Sequence, residues 1–215
     1  MIEAEIFVVN GEVKVWGLMN TIRDYKSNPL LPAAYSYPVS IGLTRTSLVK
    51  SEINRLISTT GVKYGAFNIE MIISKDEKLY FLDAGPRNGG NELPEFISDI
   101  ARNDIVNATL LAAVGDYEKL KDITLPEFGN GYWGMRVIFS DKSGVFERVV
   151  YDDLAGKFLY HQCLFIKEGD SVSPFYISSN AIGLAFFHFN DEASRDEVLT
   201  DFSGKHIKVL VNGVK

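Results

Sequence analysis

The sequence predicts an α+β fold, in which an antiparallel sheet with helices is followed by a smaller β-rich domain with a closing helix. The chain opens on a strand from Glu3 to Val9, and Asn10-Gly11 is the strongest short signal for a hairpin turn. Between Thr44 and Thr60 the apolar residues recur at helical spacing, which predicts an amphipathic helix. After about residue 116 this pattern gives way to short apolar stretches that are typical of strands.

Turn residues mark the ends of the other elements in the first half. The return strand of the first hairpin begins at Val13, and three prolines within residues 27–42 predict a loop. Gly61 ends the long helix as its C-cap. A second hairpin and two helices complete this half, at Tyr64–Ser74, Leu79–Asp83, Leu93–Ala101 and Asp104–Val114.

The second half predicts a separate domain. A charged segment at residues 116–131 is typical of a linker, so we place the two domains at residues 1–120 and 121–215. Polar residues at 140–144 predict the turn of a third hairpin. The elements expected here are extended stretches, one helix and a last strand, at Trp133–Phe139, Val145–Tyr151, Phe158–Ile166, Ala181–Phe189, Asp191–Phe202 and Ile207–Val211.

Composition excludes several classes of function. The 215 residues include 22 Lys and Arg against 28 Asp and Glu, and the net charge of −6 disfavours nucleic acid and anionic membranes as partners. No apolar run approaches the roughly 18 residues that a membrane span needs. Cys163 is the only cysteine, so a disulfide framework is impossible and a reducing cytoplasm is the expected compartment.

Two carboxylates are expected to face each other across the second hairpin. A two-residue turn at Asp76-Glu77 and a four-residue turn at residues 75–78 give one register, which places Glu70 opposite Asp83. At about 4 Å and an effective dielectric of about 20, their repulsion is on the order of 4 kcal/mol. A divalent cation such as Mg²⁺ would remove that cost. The alternatives are an exposed acid at a sheet edge, or a shared proton on an acid with a raised pKa.

A loop rich in glycine follows Asp83 and brings one arginine close to this pair. Arg87 lies four residues after Asp83, and the glycines around it allow the backbone to approach a ligand closely. A guanidinium beside a bound metal would hold a phosphate or acyl-phosphate group through charge-assisted hydrogen bonds. The alternative is that Arg87 only neutralises Asp83 and that the glycines only form a tight turn.

These residues stand in a pattern that resembles the metal-binding segment of ATP-grasp enzymes. The pattern is a strand ending in Glu, a hairpin, and then an acid followed by Pro-Arg and glycines; here it covers Tyr64–Met71 and Leu79–Gly90. Biotin carboxylase, carbamoyl-phosphate synthase and L-amino-acid ligases share it. The resemblance implies that Glu70 and Asp83 bind the Mg²⁺ (or Mn²⁺) ions that bridge the ATP phosphates. It also implies that Arg87 is catalytic and contacts the reacting phosphoryl group.

The resemblance has two departures at the metal ligands and one extension to the N-terminus. Asp83 replaces the commoner Glu, and Gly85 stands where the family has a ligating Asn. Asn88 and Asn91 lie close enough in sequence to take over that contact, so they are candidate cofactor-binding residues with Arg87. Ala4-Glu5-Ile6 resembles a Val-Glu strand of the same family, which makes Glu5 a weaker candidate; a purely structural role is the alternative.

The resemblance implies a place for the chain within a larger enzyme. The expected fold is the second ATP-grasp subdomain followed by a small C-terminal domain, and the reaction is ATP-dependent carboxylate–amine ligation through an acyl-phosphate. The expected partners are ATP, a small carboxylate substrate and an N-terminal ATP-grasp half, without which this fragment would be inactive; the resemblance also allows a homodimer. The alternative is a non-catalytic binding or scaffold subunit with a degenerate site.

Overall fold

The structure is a computed structural model that describes residues 1–121 and 131–213. The chain divides into two compact units, one of Met1–Asn20 and Pro38–Asn130 and one of Thr21–Tyr37 and Gly131–Lys215. Residues 21–37, which the sequence assigns to the first domain, thus belong to the second unit. Residues 122–130 of the expected linker lie outside the described residues.

Strands predominate, and the predicted α+β class with antiparallel pairing is confirmed. None of the described helices is both long and apolar enough to cross a bilayer. In chain order the elements, with a 3₁₀ turn at Ser178–Asn180, are β1 (Ile2–Val9), β2 (Glu12–Ile22), β3 (Ala34–Tyr37), α1 (Leu43–Thr60), β4 (Tyr64–Ile73), β5 (Leu79–Gly85), α2 (Leu93–Ala101), α3 (Ile105–Val114), α4 (Tyr117–Lys121), β6 (Tyr132–Ile138), β7 (Gly144–Tyr151), α5 (Asp153–Phe158), β8 (Leu159–Leu164), β9 (Ser171–Val172), β10 (Gly183–Phe189), α6 (Glu192–Thr200) and β11 (Ile207–Asn212).

In the first unit, α1 covers one face of a sheet whose strand order is β5-β4-β1-β2. Val49, Ile53 and Ile57 recur every four residues, so they lie on one side of α1 and are buried in the core. Alternate residues of β1, from Ile2 to Val8, join the same core. The apolar stripe predicted for this helix is therefore its packing face.

The opposite face of the same sheet is covered by α2. Because side chains alternate along a strand, Glu3 and Glu5 of β1 point to this second face, and both are buried. Gly17 of β2 lies on it as well: a Cβ there would stand 2.8 Å from Cδ1 of Ile97, which is on α2. A glycine at this position is thus required for α2 to pack closely on the face of the sheet that carries Glu3 and Glu5.

The second unit is β-rich, as predicted, and its two sets of strands share one core. Strands β3, β6, β10 and β8 are neighbours in that order, and β11, β7 and β9 form a separate sheet. Phe187 of β10, Phe146 of β7 and Val209 of β11 meet in the core between them. The closing helix α6 packs on β6, where a Cβ on Gly134 would lie 2.6 Å from Cδ1 of Leu199.

Three expectations about local structure are wrong. Strand β3 lies inside the segment predicted as a loop, and α5 was not predicted. The predicted third hairpin does not form, because β6 pairs with β3 and β10 on its two sides, which leaves no edge for β7. The connection instead turns away, and the Ser140 carbonyl accepts a hydrogen bond from the Phe175 N–H at 3.1 Å.

Candidate functional site

Glu70 and Asp83 are directly paired on β4 and β5, as predicted. On the other side of β4, Glu70 pairs with Glu3 of β1. Directly paired residues share a face of the sheet, so Glu3, Glu70 and Asp83 form a line across three strands. We call this line the acidic row. Glu3 is 2% exposed, whereas the Asp83 side chain is 60% exposed, so the row runs from the interior to the surface.

A β-bulge, which the sequence did not predict, creates this pairing. The hairpin loop has three residues, since the Ser74 N–H donates to the Lys78 carbonyl at 2.9 Å, and β5 therefore starts one residue out of the expected register. Met71 pairs with Phe81 and Glu70 with Asp83, which leaves Leu82 as an extra residue. Without the bulge Asp83 would share the core face of Phe81; the extra residue turns it to the face of Glu70.

A second line of paired residues lies beside the acidic row on the same face. Glu5 pairs with Asn68, and Asn68 pairs with Gly85; we call these three the polar row. The Asn68 amide nitrogen donates to Oε1 of Glu3 at 2.6 Å and to Oε2 of Glu5 at 3.1 Å. One buried side chain thus ties the two rows together.

The two glutamates of β1 are unusual in being buried without an ion pair among the described residues. Burial, opposed mainly by the Asn68 hydrogen bond, raises the pKa of Glu3 to about 7. For Glu5, burial outweighs hydrogen bonds from the Gly89 N–H and Asn68 and raises the pKa to about 8. The nearby charges of Glu70 and Asp83 add to the upward shift of the Glu3 pKa.

Glu5 holds the glycine-rich loop from beneath. The Gly89 N–H donates to both carboxylate oxygens of Glu5, at 3.1 and 2.9 Å. A Cβ at position 89 would lie 2.8 Å from Glu5 Oε2 and 2.8 Å from the Asn68 amide nitrogen. The glycine is therefore needed for the backbone to approach the buried acid, and Glu5 has a definite structural role.

Arg87 lies at the surface end of the two rows. Its Nη2 stands 3.9 Å from Oδ2 of Asp83, and its side chain is 57% exposed. Its Nη1 donates to the Asn88 carbonyl at 2.9 Å and to Oδ1 of Asn68 at 3.4 Å. Arg87 does neighbour Asp83, as expected, but it is also held by the polar row, and more than half of its side chain remains exposed to solvent.

The two asparagines of the loop occupy different environments. The side-chain oxygen of Asn88 accepts a hydrogen bond from the Thr109 hydroxyl at 2.8 Å, which fastens the loop to α3. Asn91 is exposed and has a left-handed backbone with φ 55°. The structure gives Asn88 a loop-fastening contact; the cofactor-binding role of both residues stays a prediction.

The donor set fits a cation that is shared with a phosphate. Among the described residues, no group of three or more His, Cys, Asp and Glu side chains could hold a metal ion alone. Mg²⁺ commonly takes one or two protein carboxylates and completes its shell with phosphate oxygens and water. Oε2 of Glu3, the buried neighbour of Glu70, has no hydrogen-bond partner among residues 1–121 and 131–213, so the row has spare acceptor capacity.

Glu3 and Asn68 are the site residues that the sequence analysis missed. Both lie on strands that read as ordinary sheet sequence, and Asn68 carries no charge. A signal existed in the pairing: with β1 placed beside β4, the acids of β1 fall opposite the end of β4 that carries Glu70. That neighbour relationship is a property of the sheet order, which the sequence pattern of a single hairpin does not contain.

Sequence comparison and structure comparison give different results for this chain. No family model matches the sequence, and no curated protein matches it. Solved structures do match. One is phosphoribosylglycinamide synthetase from Anaerococcus prevotii, with a TM-score of 0.73 and 19% identity; the match covers 98% of this chain and 53% of that one.

Two further matches extend over the whole chain. L-amino acid ligase from Bacillus licheniformis has a TM-score of 0.79 at 15% identity, covering 99% of this chain and 54% of its own. The biotin carboxylase domain of Hydrogenobacter thermophilus 2-oxoglutarate carboxylase matches with a TM-score of 0.68 at 17% identity. That match covers 100% of this chain and 46% of the solved chain. The chain thus spans about half the length of these solved chains. Its fold is that of the corresponding part of the ATP-grasp ligases, as the resemblance predicts.

Proposed function

We propose that this chain forms the metal- and phosphate-holding part of an ATP-dependent ligase. The acidic row with Arg87 at its exposed end is the observation that carries the proposal. Carboxylates that face each other across strands repel, and here a bulge brings them together instead of separating them. A site that gathers negative charge beside one exposed guanidinium is suited to a cation and an anion bound together.

Each residue of the site would have a separate task. Glu70 and Asp83 would hold Mg²⁺ or Mn²⁺, and the ion, when bound, supplies positive charge that offsets the charge of the transferring phosphoryl group. Arg87, whose side chain is 57% exposed, would contact that phosphoryl group through its fork of donors. Glu5 fixes the loop that carries Arg87 through the Gly89 N–H. Such catalysis depends on positioning and electrostatic stabilisation, for which a rigid sheet edge is a good base.

The fold and the site together support a proposal for the reaction class. L-amino acid ligase and phosphoribosylglycinamide synthetase are among the structures with this fold. We therefore propose that the parent enzyme activates a small carboxylate with ATP as an acyl-phosphate, which an amine then attacks. ATP would bind between this chain and an N-terminal ATP-grasp half, and this chain alone would be inactive. We also propose that the parent enzyme is cytoplasmic and acts as a homodimer.

A second candidate function is a non-catalytic subunit with a degenerate site. Gly85 favours this candidate, because the family's ligating Asn is missing at that position. Of the two loop asparagines, Asn88 already has its side-chain oxygen hydrogen-bonded to Thr109. Such a subunit would keep the sheet and the anchored loop but would not hold the metal. Metal binding at Glu70 and Asp83 therefore separates the two candidates.

Asp83→Asn should weaken metal binding at the acidic row. The probe is Mn²⁺ added with tripolyphosphate to isotope-labelled chain, because bound Mn²⁺ broadens the NMR signals of nearby amides. We expect broadening centred on Glu70 and Asp83 in the wild type. In Asp83→Asn, where an amide replaces a charged ligand, the apparent affinity should fall about tenfold or more.

Asp76→Asn is the matched control, since Asp76 is an exposed acid in the turn of the same hairpin and pairs with Lys78 at 3.0 Å. It changes the net charge equally but should leave the broadening around Glu70 intact. If the broadening is unchanged in Asp83→Asn, or is reduced equally in both variants, the proposed site is refuted and the non-catalytic candidate is favoured.

A further inference from the structure

We propose that Asn68 is a positioning residue, which holds the Arg87 guanidinium beside the Glu70–Asp83 pair; this inference rests on the proposed function of that pair. Asn68 is 4% exposed and is the only side chain of the polar row that contacts both acids of β1 and Arg87 among the described residues. Its effect on a bound phosphate would therefore be exerted through Arg87.

The hydrogen bonds fix the orientation of the Asn68 amide. Its nitrogen donates to Glu3 and Glu5, whose oxygens accept, so its oxygen must point toward Arg87. A guanidinium can only donate, and an amide turned the other way would set an NH₂ group against it. The two buried acids thus hold Asn68 in the one orientation that offers Arg87 an acceptor.

Gly85 provides the space for this contact. A Cβ at Gly85, which pairs with Asn68, would stand 3.3 Å from Nε and 3.4 Å from Cγ of Arg87. The arginine side chain therefore lies over the glycine on its way to Asn68. Gly85 does not have a positive φ, so its role is to leave room and not to adopt a special backbone conformation.

The other contacts of Arg87 do not tie it to the buried part of the sheet, although the one with Asn88 is shorter than the 3.4 Å contact with Asn68. The pair with Asp83 is long, at 3.9 Å, and both side chains are more than half exposed, so solvent screens it. The Asn88 carbonyl at 2.9 Å holds Nη1 but belongs to the same loop as Arg87. Asn68 is the contact that ties the guanidinium to the rigid sheet.

Two substitutions test the inference from opposite sides. Asn68→Ala removes the acceptor, and Gly85→Val fills the space that Arg87 crosses. Each should weaken the affinity for tripolyphosphate, measured at saturating Mn²⁺, by about tenfold, as for the loss of one hydrogen bond to a charged group. In an Arg87→Ala background neither should cause a further loss. Asn54→Ala on the exposed face of α1 is the control and should bind as the wild type does.

The outcomes separate this inference from the proposed function. If the wild type does not bind Mn²⁺ and tripolyphosphate in a way that depends on Glu70 and Asp83, the proposed function is refuted. Binding that depends on those acids but ignores Asn68→Ala and Gly85→Val would refute only the positioning role. If Asn68→Ala weakens tripolyphosphate affinity as much in the Arg87→Ala background as in the wild type, the positioning role is refuted as well. If Asn68→Ala fails to fold, Gly85→Val decides, because Gly85 lies outside the buried core.

Discussion

Gly89→Ala should destabilise the chain by about 3 kcal/mol, which combines the cost of overpacking with that of a disturbed buried hydrogen bond. The added methyl group would lie 2.8 Å from Glu5 Oε2 and 2.9 Å from Cδ1 of Leu93. The loop must therefore move outward, and the Gly89 N–H would leave the Glu5 carboxylate. Arg87 would move with the loop, so tripolyphosphate binding should weaken too.

Gly90→Ala is the matched control for this change. No described atom lies within 4 Å of a Cβ at Gly90, and its φ is not positive. Urea unfolding of both variants should show a large loss for Gly89→Ala and a change within about 0.5 kcal/mol for Gly90→Ala. Equal midpoints for the two variants would mean that the loop is not anchored by Glu5, and the assignment of Glu5 as its anchor would be withdrawn.

The pairing of Glu70 with Asp83 was predicted correctly, but by a register argument that is only partly right. The expected register requires an even number of turn residues, whereas the loop has three residues and Glu77 is left-handed with φ 61°. The bulge at Leu82 then adds one residue and restores the expected pair. The three-residue turn and the bulge offset each other in register. The sequence indicates neither of them, because the left-handed position of the turn is occupied by Glu77 instead of the usual Gly or Asn.

The sequence could predict the exposed end of the site but not the buried end. Asp83 and Arg87 lie in a loop whose proline and glycines are visible as a motif. The roles of Glu3 and Asn68 depend on which strand lies beside β4, and the sequence of the β4–β5 hairpin does not determine that neighbour. Long-range pairing also explains the wrong third hairpin, since the partners of β6 are far from it in sequence.

The buried acids should make the chain less stable as the pH rises. The pKa values of Glu3 and Glu5, about 7 and about 8 in the folded chain, lie above the ordinary value of 4.5. Between about pH 4.5 and pH 8 the folded chain keeps protons that the unfolded chain releases. The stability that these two acids contribute is therefore full below pH 4.5 and is lost as the pH rises through their folded pKa values.

Glu5→Gln should remove much of this dependence. The amide oxygen can replace Oε2, which accepts from both the Gly89 N–H and Asn68. Only the longer contact of the Gly89 N–H with Oε1 is lost, and no charge has to be buried. At pH 8 the variant should be more stable than the wild type, on the order of 3 kcal/mol, whereas near pH 4.5 the two should be alike. The measurement is the urea midpoint as a function of pH, without divalent cations.

The exposed Glu12 supplies the control, because the hydrogen bond from Lys14 lowers its pKa. Glu12→Gln should therefore give no gain in stability at high pH. A wild-type urea midpoint that stays flat from pH 5 to pH 8 would mean that Glu3 and Glu5 are ionised in the folded chain throughout that range. Burial would then not be what sets the protonation of these two acids, and the expected gain from Glu5→Gln at pH 8 would be absent as well.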